Sequence, residues 1–179
     1  TPMQIGCKKL KTKTMVDIIN KDFRDCDIPK GLVITDPPYN QGYNYNNYKD
    51  RLSDDEYIEL LSKIPTPCVI IHYPEETINI LPKAIKEKCE QVVCWIYNSN
   101  TGKQSRLISW WGCKPEKLIN NIILTTANKD DLIIDVFAGS GTTGIVAKRL
   151  GYNSLMYEVD ENYCQIINKR IELQNNLFK

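Results

Sequence analysis

The sequence predicts an α/β fold with a mostly parallel sheet, and three observations support this prediction. Short apolar runs alternate along the chain with stretches of helical periodicity. Two of these runs, residues 32–35 and 132–137, are apolar almost throughout, which is typical of strands buried on both faces of a parallel sheet. Turn-forming segments follow both runs, Asp-Pro-Pro-Tyr in one case and a Gly-rich stretch in the other. Because open α/β sheets bind ligands at the carboxyl ends of their strands, both turns are candidate functional segments.

Length and composition predict a single domain, residues 1–179. The chain has 42% hydrophobic and 25% charged residues, ordinary values for one globular domain with a real core. No apolar run reaches the ~20 residues of a membrane span, and no charged-then-apolar leader opens the chain, so we expect a cytoplasmic protein without a membrane partner. With a net charge of +1, any nucleic-acid surface would have to be a local patch.

The seven cysteines invite a metal or disulfide interpretation, which their positions disfavour. No Cys-x-x-Cys pair is present, and the single histidine, His72, lies in an apolar run, so no metal site is predicted. Scattered thiols in an odd number fit a reducing cytosol. Cys68 follows a proline and opens an apolar run, so we predict that it belongs to a strand core and is not a nucleophile.

In the first half of the chain, apolar runs predict strands and capping signals predict two helices. The predicted strands are residues 15–19, 32–35 and 68–72. A capping box of Ser53 and Glu56 starts a helix that continues to Ile64, after which prolines follow. Pro82 marks the start of a second helix, which we expect to reach about residue 88.

The second half of the chain repeats this alternation. The predicted strands are residues 91–97, 132–137 and 154–159. Pro115 starts a helix whose apolar residues share one face. A helix after the Gly-rich turn ends at Gly151, and Asp160 caps a last helix that reaches residue 171.

Residues 40–48 are polar and aromatic, with neither a helical nor a strand period, so they predict a loop beside a strand end. Two interpretations stay open at this point. Tyr43 and Tyr45 could stack on bases while the asparagines bind base edges, or the tyrosines could pack down on a surface loop.

Asp36, Pro37, Pro38 and Tyr39 offer a carboxylate, a rigid carbonyl and an aromatic ring at the end of a buried strand. Together these groups can bind a planar amine. We hypothesise that they hold an exocyclic amino group of a nucleic-acid base while a methyl group is transferred to it. The alternative is a Pro-rich turn with no role in binding.

Residues 132–158 have the order of half a Rossmann-like nucleotide site: strand, Gly-rich turn, helix, and a strand containing Glu158. An acid at this place can accept both hydroxyls of a ribose. The turn lacks the lysine of a P-loop, which disfavours a nucleoside triphosphate. Residues 139–144 do fit a dinucleotide pattern, but Asp135 would oppose a pyrophosphate. A ligand with sulfonium and ammonium groups, such as S-adenosylmethionine, suits this carboxylate better.

The chain resembles the DNA amino-methyltransferases that modify adenine N6 or cytosine N4. The resemblance rests on Asp-Pro-Pro-Tyr at residues 36–39, on Asp-Val-Phe-Ala-Gly-Ser-Gly-Thr-Thr at residues 135–143, and on the Lys-Pro helix start at Lys114. The catalytic motif precedes the cofactor motif by about a hundred residues, which resembles the circularly permuted beta arrangement of that family. The resemblance covers roughly residues 15–175 and implies a Rossmann-like, S-adenosylmethionine-dependent methyltransferase sheet, with a catalytic half at about 15–97 and a cofactor half at about 114–175.

The resemblance also implies roles for the matched residues. The implied catalytic residues are Asp36, Pro37, Pro38 and Tyr39. The Asp36 carboxylate and the Pro37 carbonyl would accept the N–H groups of the amine, and Tyr39 would stack on an extruded base. Glu158 would hold the ribose, and Asp22 and Phe23 match the segment beside the adenine ring. The remaining residues implied in S-adenosylmethionine binding are Asp36, Lys114, Asp135, Phe137, Ala138, Gly139, Ser140, Gly141, Thr142 and Thr143.

The chain departs from the family in its target-recognition segment, which is only residues 98–113. Lys103, Arg106 and Trp110 offer a few phosphate or stacking contacts to DNA, too few for base-edge readout across a site. This predicts low sequence specificity, recognition by a second protomer or a specificity subunit, or a substrate other than DNA. The resemblance favours adenine N6 of DNA; the alternatives are cytosine N4, RNA, a protein amide, or a subunit that needs a partner chain.

Overall fold

The computed structural model describes residues 14–45, 48–93 and 116–177. Its main sheet contains the strands β1 (Val16–Ile19), β2 (Leu32–Thr35), β5 (Cys68–Ile70), β6 (Ile133–Asp135) and β7 (Ser154–Tyr157), with β3 (Asn44–Tyr45) and β4 (Tyr48–Lys49) in a separate antiparallel hairpin. All strand pairs of the main sheet are parallel, in the order β1-β7-β6-β2-β5. The predicted α/β fold with a mostly parallel sheet is confirmed.

Most helices begin close to their sequence signals, and the last one extends beyond residue 171, where it was predicted to end. In the described residues they are α1 (Asp54–Ser62), α2 (Pro74–Asn79), α3 (Leu81–Ala84), α4 (Glu116–Thr126), α5 (Thr142–Leu150) and α6 (Glu161–Leu177), with a 3-10 turn at Phe23–Asp25. The capping box before α1 is formed: the Glu56 N–H donates to the Ser53 hydroxyl (3.4 Å) and the Ser53 N–H donates to the Glu56 carboxylate (2.8 Å). Of these helices, none has both the length and the apolar character needed to cross a membrane.

Helices cover both faces of the sheet because side chains alternate along each strand. On one face, Val33 and Ile134 pack in a buried cluster with Tyr57 and Leu61 of α1. The opposite face has its own buried cluster, made by Leu32, Ile34 and Ile133 of the sheet with Ile119 and Ile123 of α4 and Val146 and Ala147 of α5. Strands β2 and β6, at the centre of these layers, are therefore apolar on both faces.

The two motif-bearing strands are neighbours in space although they are distant in sequence. β6 follows β2 by about a hundred residues, yet it pairs with β2 through Leu32 opposite Ile133 and Val33 opposite Ile134. The Asp-Pro-Pro-Tyr segment after β2 thus comes first in the chain, and the Gly-rich turn after β6 joins beside it. The origin of this order by circular permutation, and the single domain over residues 1–179, stay predictions.

One helix prediction and the described part of one strand prediction between residues 73 and 97 are wrong. The helix expected from Pro82 to about residue 88 is only α3 and ends at Ala84, because the backbone becomes extended at Ile85 (φ −95°, ψ 117°). Pro74 and two glutamates start α2, which the sequence interpretation missed. Residues 91–93 form no strand, since their apolar side chains find no partner in the sheet: Val92 and Val93 are 64% and 75% exposed. Residues 94–97 lie outside the described residues.

Smaller differences concern the loop after Tyr39 and the ends of strands. The predicted loop at residues 40–48 contains part of the β3–β4 hairpin, in which Asn44 pairs with Lys49 and Tyr45 with Tyr48. The strands are one to three residues shorter than predicted, apart from β2, although residues just outside them, such as Ile71 and Glu158, still donate backbone hydrogen bonds to neighbouring strands.

Candidate active site

The carboxyl ends of β2 and β6 bring the Asp-Pro-Pro-Tyr segment and the Gly-rich turn to the same edge of the sheet. Asp36 follows β2 directly, and Asp135 is the last residue of β6. The two segments are joined by a buried hydrogen bond, in which the Thr35 hydroxyl donates to Asp135 Oδ1 (2.7 Å). The two motifs, a hundred residues apart in sequence, therefore form one candidate site.

Asp135 is a buried carboxyl, 4% exposed, beneath the Gly-rich turn. Burial raises its pKa to about 6, although hydrogen bonds from Thr143, Thr35 and the Phe137 N–H (3.1 Å) oppose this shift. At neutral pH the group is ionised, and a buried carboxylate gains most from a cationic ligand. Its environment thus suits the role predicted for it.

Glu158 binds the backbone of the Gly-rich turn at Gly139. The Gly139 N–H donates to Glu158 Oε2 (2.7 Å), and the Asp160 N–H donates to Oε1 (2.9 Å). Gly139 has a left-handed φ of +53°, and a Cβ built on it would meet nothing within 4 Å. Burial raises the pKa of Glu158, while these N–H donors oppose the rise. The open space at Gly139 leaves room for a ligand against the backbone.

Phe23 and Asp22, matched to the adenine-ring segment, lie at the end of β1. The rings of Phe23 and Phe137 meet edge to face with centroids 5.1 Å apart, which places Phe23 beside the residue that precedes the Gly-rich turn. Asp22 is engaged elsewhere: it caps the 3-10 turn and pairs with Arg24 at 2.5 Å, and this pairing lowers the pKa of its carboxyl. Its binding role stays a prediction.

Arg170 of α6 contacts Ser140 and Thr142 of the Gly-rich turn. The sequence interpretation did not include this arginine. Arg170 Nη1 donates to the Ser140 carbonyl (2.6 Å) and lies 3.4 Å from the Thr142 hydroxyl. Ala138, Gly141, Thr142 and Thr143 are buried in or just after the same turn. An arginine inside an amphipathic helix has no local signal that separates this role from a solvent-exposed one.

Tyr39 is arranged differently from its prediction as a base-stacking ring. It is 8% exposed, and its ring packs against Tyr73 and His72 with centroids 4.5 Å and 5.3 Å away. Its hydroxyl donates to Asp36 Oδ1 (2.5 Å). The hydroxyl of Tyr39 therefore lies on the predicted acceptor, and stacking on a base would require the ring to move.

Asp50, a residue outside all sequence motifs, organises the segment after Tyr39. This buried carboxylate accepts the N–H groups of Asn40 (2.7 Å), Gln41 (3.1 Å) and Tyr43 (2.9 Å). A hydrogen bond with Tyr73 is the main cause that raises the pKa of Tyr43 to about 12. Tyr43 is thus tied to the aromatic cluster beside Tyr39, and its predicted contact with nucleic acid stays a prediction.

The remaining predicted residues contribute less to the site as described. Lys103, Arg106, Trp110 and Lys114 lie outside the described residues, and Tyr45 is placed only as a member of β3. Cys68 begins β5, and burial raises its thiol pKa to about 11, which disfavours a thiolate nucleophile and confirms its prediction as a strand residue.

Comparison with known proteins identifies one family and several relatives. The DNA methylase family profile matches residues 79–169, just over half of the chain. The type II methyltransferase M2.DpnII of Streptococcus pneumoniae is 40% identical over 80 residues, which are 42% of this chain and 30% of that protein. M2.LlaDCHI of Lactococcus lactis subsp. cremoris is 45% identical over 58 residues, 32% of this chain and 22% of that protein. The matched segments thus span less than a third of these relatives.

Solved structures share the fold over most of the chain. M1.HpyAVI has a TM-score of 0.61 at 19% identity, covering 88% of this chain and 99% of that one. Its complex with S-adenosylmethionine has a TM-score of 0.55 at 20% identity, covering 87% and 100%. The cytosine-N4-specific PvuII DNA methyltransferase has a TM-score of 0.55 at 17% identity, covering 89% and 87%. At these identities the likeness shows the fold alone.

Proposed function

The chain belongs to the N6/N4 DNA methylase family, and from this premise we propose that it transfers a methyl group from S-adenosylmethionine to an exocyclic amino group of a base in DNA. One observation supports the proposal most directly: Asp36 and Asp135 lie at the carboxyl ends of neighbouring parallel strands. A hydrogen bond from the Thr35 hydroxyl to Asp135 Oδ1 (2.7 Å) joins these two strand ends. An amine held by the first motif would therefore lie next to a methyl donor held by the second.

The residues around the Gly-rich turn fit S-adenosylmethionine. Asp135 offers a buried negative charge, and Glu158 offers a carboxylate at the end of the next strand, where a ribose could be bound. The open space at Gly139 admits a ligand close to the backbone. When bound there, S-adenosylmethionine supplies an electrophilic methyl group on a sulfonium.

Asp36 and Pro37 supply the chemistry at the amine. An aromatic amine is a weak nucleophile because its lone pair is delocalised into the ring. When the Asp36 carboxylate and the Pro37 carbonyl accept its two N–H groups, the nitrogen pyramidalises and the lone pair localises. The acceleration comes from positioning and electrostatics, with no covalent enzyme intermediate. After transfer the nitrogen carries one proton too many, and the Asp36 carboxylate is the group placed to take it.

Tyr39 has a part in presenting the base. A base inside a duplex must be extruded before its amine can reach Asp36. The Tyr39 hydroxyl occupies Asp36 Oδ1 in the present arrangement. We infer that an arriving amine replaces this hydroxyl, and that the freed ring stacks on the extruded base.

Adenine N6 is the proposed target, by analogy with family members that have Asp in the first motif position. The short segment at residues 98–113 supports recognition by a second protomer or a specificity subunit. A transfer assay tests both points: purified chain, methyl-labelled S-adenosylmethionine and unmodified duplex DNA, followed by nucleoside analysis. Label in N6-methyladenine supports the proposal, and label in N4-methylcytosine replaces the target. Product that appears only after a partner chain is added assigns recognition to that partner.

A further inference from the structure

A buried chain of hydrogen bonds leads from the only histidine of the sequence to the Asp-Pro-Pro-Tyr segment. The Tyr73 N–H donates to His72 Nδ1 (2.8 Å), His72 Nε2 lies 2.5 Å from the Tyr57 hydroxyl, and that hydroxyl donates to the Pro38 carbonyl (2.5 Å). The His72 side chain is fully buried and Tyr57 is 1% exposed. Neither residue belongs to a motif from which the function was inferred.

The directions of these bonds determine the tautomer of His72. Because Nδ1 accepts the Tyr73 N–H, it carries a lone pair, and the ring proton lies on Nε2. Nε2–H therefore donates to the Tyr57 oxygen, which leaves the Tyr57 proton to bind the Pro38 carbonyl. The Glu76 carboxylate lies 3.8 Å from the same Nδ1, beyond hydrogen-bond distance, so the Tyr73 N–H is the nearer partner of this atom.

The fold explains why these groups meet at Pro38. His72 lies two residues beyond β5, the sheet neighbour of β2, so both strands end at the same edge. Tyr57 reaches this edge from α1, which packs on the sheet below. The imidazole also contacts the ring of Tyr39 edge to face, with centroids 5.3 Å apart. The carbonyl of one motif residue and the ring of the next are thus both in contact with this pair.

We propose that His72 and Tyr57 are positioning residues that hold the Pro38 carbonyl, and with it the acceptors Asp36 and Pro37, in the geometry required for methyl transfer. This role rests on the proposed function. Pro38 lies between the acceptors and Tyr39, and proline restricts its own φ, so a fixed Pro38 carbonyl restricts the acceptors directly before it. A displacement of about 1 Å at such groups is enough to lower a rate about a hundredfold.

A spectroscopic test addresses the hydrogen-bond chain itself. In tag-free protein labelled with ¹⁵N-histidine, every imidazole signal comes from His72, since the sequence has one histidine. The expected result is a neutral ring protonated at Nε2, with a slowly exchanging proton that exchanges faster in Tyr57→Phe. A ring protonated at Nδ1, or exchange that is unchanged in Tyr57→Phe, would overturn the inference.

A kinetic test addresses the positioning role. We expect Tyr57→Phe and His72→Phe to lower kcat for methyl transfer at least about tenfold while the Kd for S-adenosylmethionine stays unchanged. His72→Gln, whose amide can donate to Tyr57, should recover part of the loss. Tyr157→Phe is the matched control, because it removes a hydroxyl from another tyrosine that is 1% exposed in the same cluster.

The outcomes separate this role from the proposed function. If the wild-type protein transfers methyl groups and Tyr57→Phe keeps the kcat of Tyr157→Phe, the positioning role is wrong while the function stands. If the wild-type protein transfers no methyl group to any DNA, either alone or with a partner chain added, the proposed function fails and the positioning role fails with it. The ¹⁵N spectrum then still decides whether the chain from His72 to Pro38 exists.

Discussion

Replacing Gly139 with alanine should weaken S-adenosylmethionine binding with little loss of stability. A Cβ at Gly139 meets no protein atom within 4 Å, so the new methyl group extends into the space in which the ligand is proposed to lie. Gly151, after α5, is a matched control. It also has a positive φ, +89°, and its added Cβ likewise meets nothing within 4 Å, but it lies at the far end of α5 from the turn.

The magnitudes follow from this geometry. A non-glycine residue in the left-handed region lowers the free energy of unfolding by roughly 1–2 kcal/mol. Replacing glycine also reduces the entropy of the unfolded chain, which raises the free energy of unfolding by about 0.4–1 kcal/mol. With no clash to add, both variants should lose about 1 kcal/mol, or roughly 2–4 °C in Tm for a chain of this size. Only Gly139→Ala should also raise the Kd for S-adenosylmethionine, by about tenfold or more, since a methyl group there excludes the ligand from the backbone.

Thermal unfolding without ligand and calorimetric titration with S-adenosylmethionine measure these two quantities separately. Equal losses of Tm in the two variants, with weak binding in Gly139→Ala alone, are the expected results. Normal binding by Gly139→Ala would refute the placement of the ligand at this turn. A much larger loss of Tm in Gly139→Ala than in Gly151→Ala would refute the argument that its surroundings are open.

Three further predictions concern the catalytic carboxylate, pH and a helix cap. Although the resemblance also implies a contact between Asp36 and S-adenosylmethionine, Asp36→Ala should abolish methyl transfer and keep nearly the wild-type Kd for that cofactor in calorimetry. A loss of affinity as large as the loss of activity would show that the role of Asp36 is misplaced. Because the pKa of Asp135 is raised to about 6, protonation should compete with a cationic ligand below that pH. The Kd for S-adenosylmethionine should therefore rise as pH falls from 7 to 5 and stay level above 7, and a Kd independent of pH would contradict this. Asp135→Asn should bind S-adenosylmethionine weakly at every pH. Ser53→Ala should cost roughly 1 kcal/mol by removing the capping box of α1, whereas Ser62→Ala in the last turn of the same helix should cost less in thermal unfolding.

The raised pKa of Asp135 also affects the free energy of unfolding. Its contribution changes with pH in the opposite direction to that of a carboxyl whose pKa is lowered on folding. Its folded-state pKa, about 6, lies above the ordinary 3.8, so the folded protein binds the proton more tightly than the unfolded chain does. The contribution of Asp135 to the free energy of unfolding should therefore grow as pH falls from about 6 towards 4. Comparing wild-type and Asp135→Asn protein in denaturant titrations over that range measures this contribution.

The sheet and both motifs could be predicted because they depend on local patterns. Leu32–Thr35 is apolar and ends at a proline-rich segment, and the structure forms β2 at the same residues. The capping box at Ser53 starts α1 where expected. The position of Asp36 and Asp135 at one edge of the sheet followed from a general property of parallel sheets, but the pairing of β2 with β6 did not.

The parts that could not be predicted depend on contacts between distant residues. Asp50 accepts three N–H groups of the segment after Tyr39, but an aspartate between a tyrosine-rich stretch and a helix has no distinctive pattern. His72 seemed to continue an apolar strand, whereas β5 ends at Ile70 and the imidazole turns towards Tyr57. Val92 and Val93 have strand-like residue types, yet burial depends on a neighbouring strand that no local pattern can supply.

The central claim is that one site, formed where β2 and β6 end, carries both the methyl donor and the amine. The most direct test is the identity of the labelled nucleoside after incubation of the purified chain with methyl-labelled S-adenosylmethionine and unmodified duplex DNA containing all short sequence contexts. We predict label in N6-methyladenine for the wild-type protein and none for an Asp36→Ala variant that still binds S-adenosylmethionine. Label in no base even when a partner chain is added, or equal label from the Asp36→Ala variant, would contradict this account.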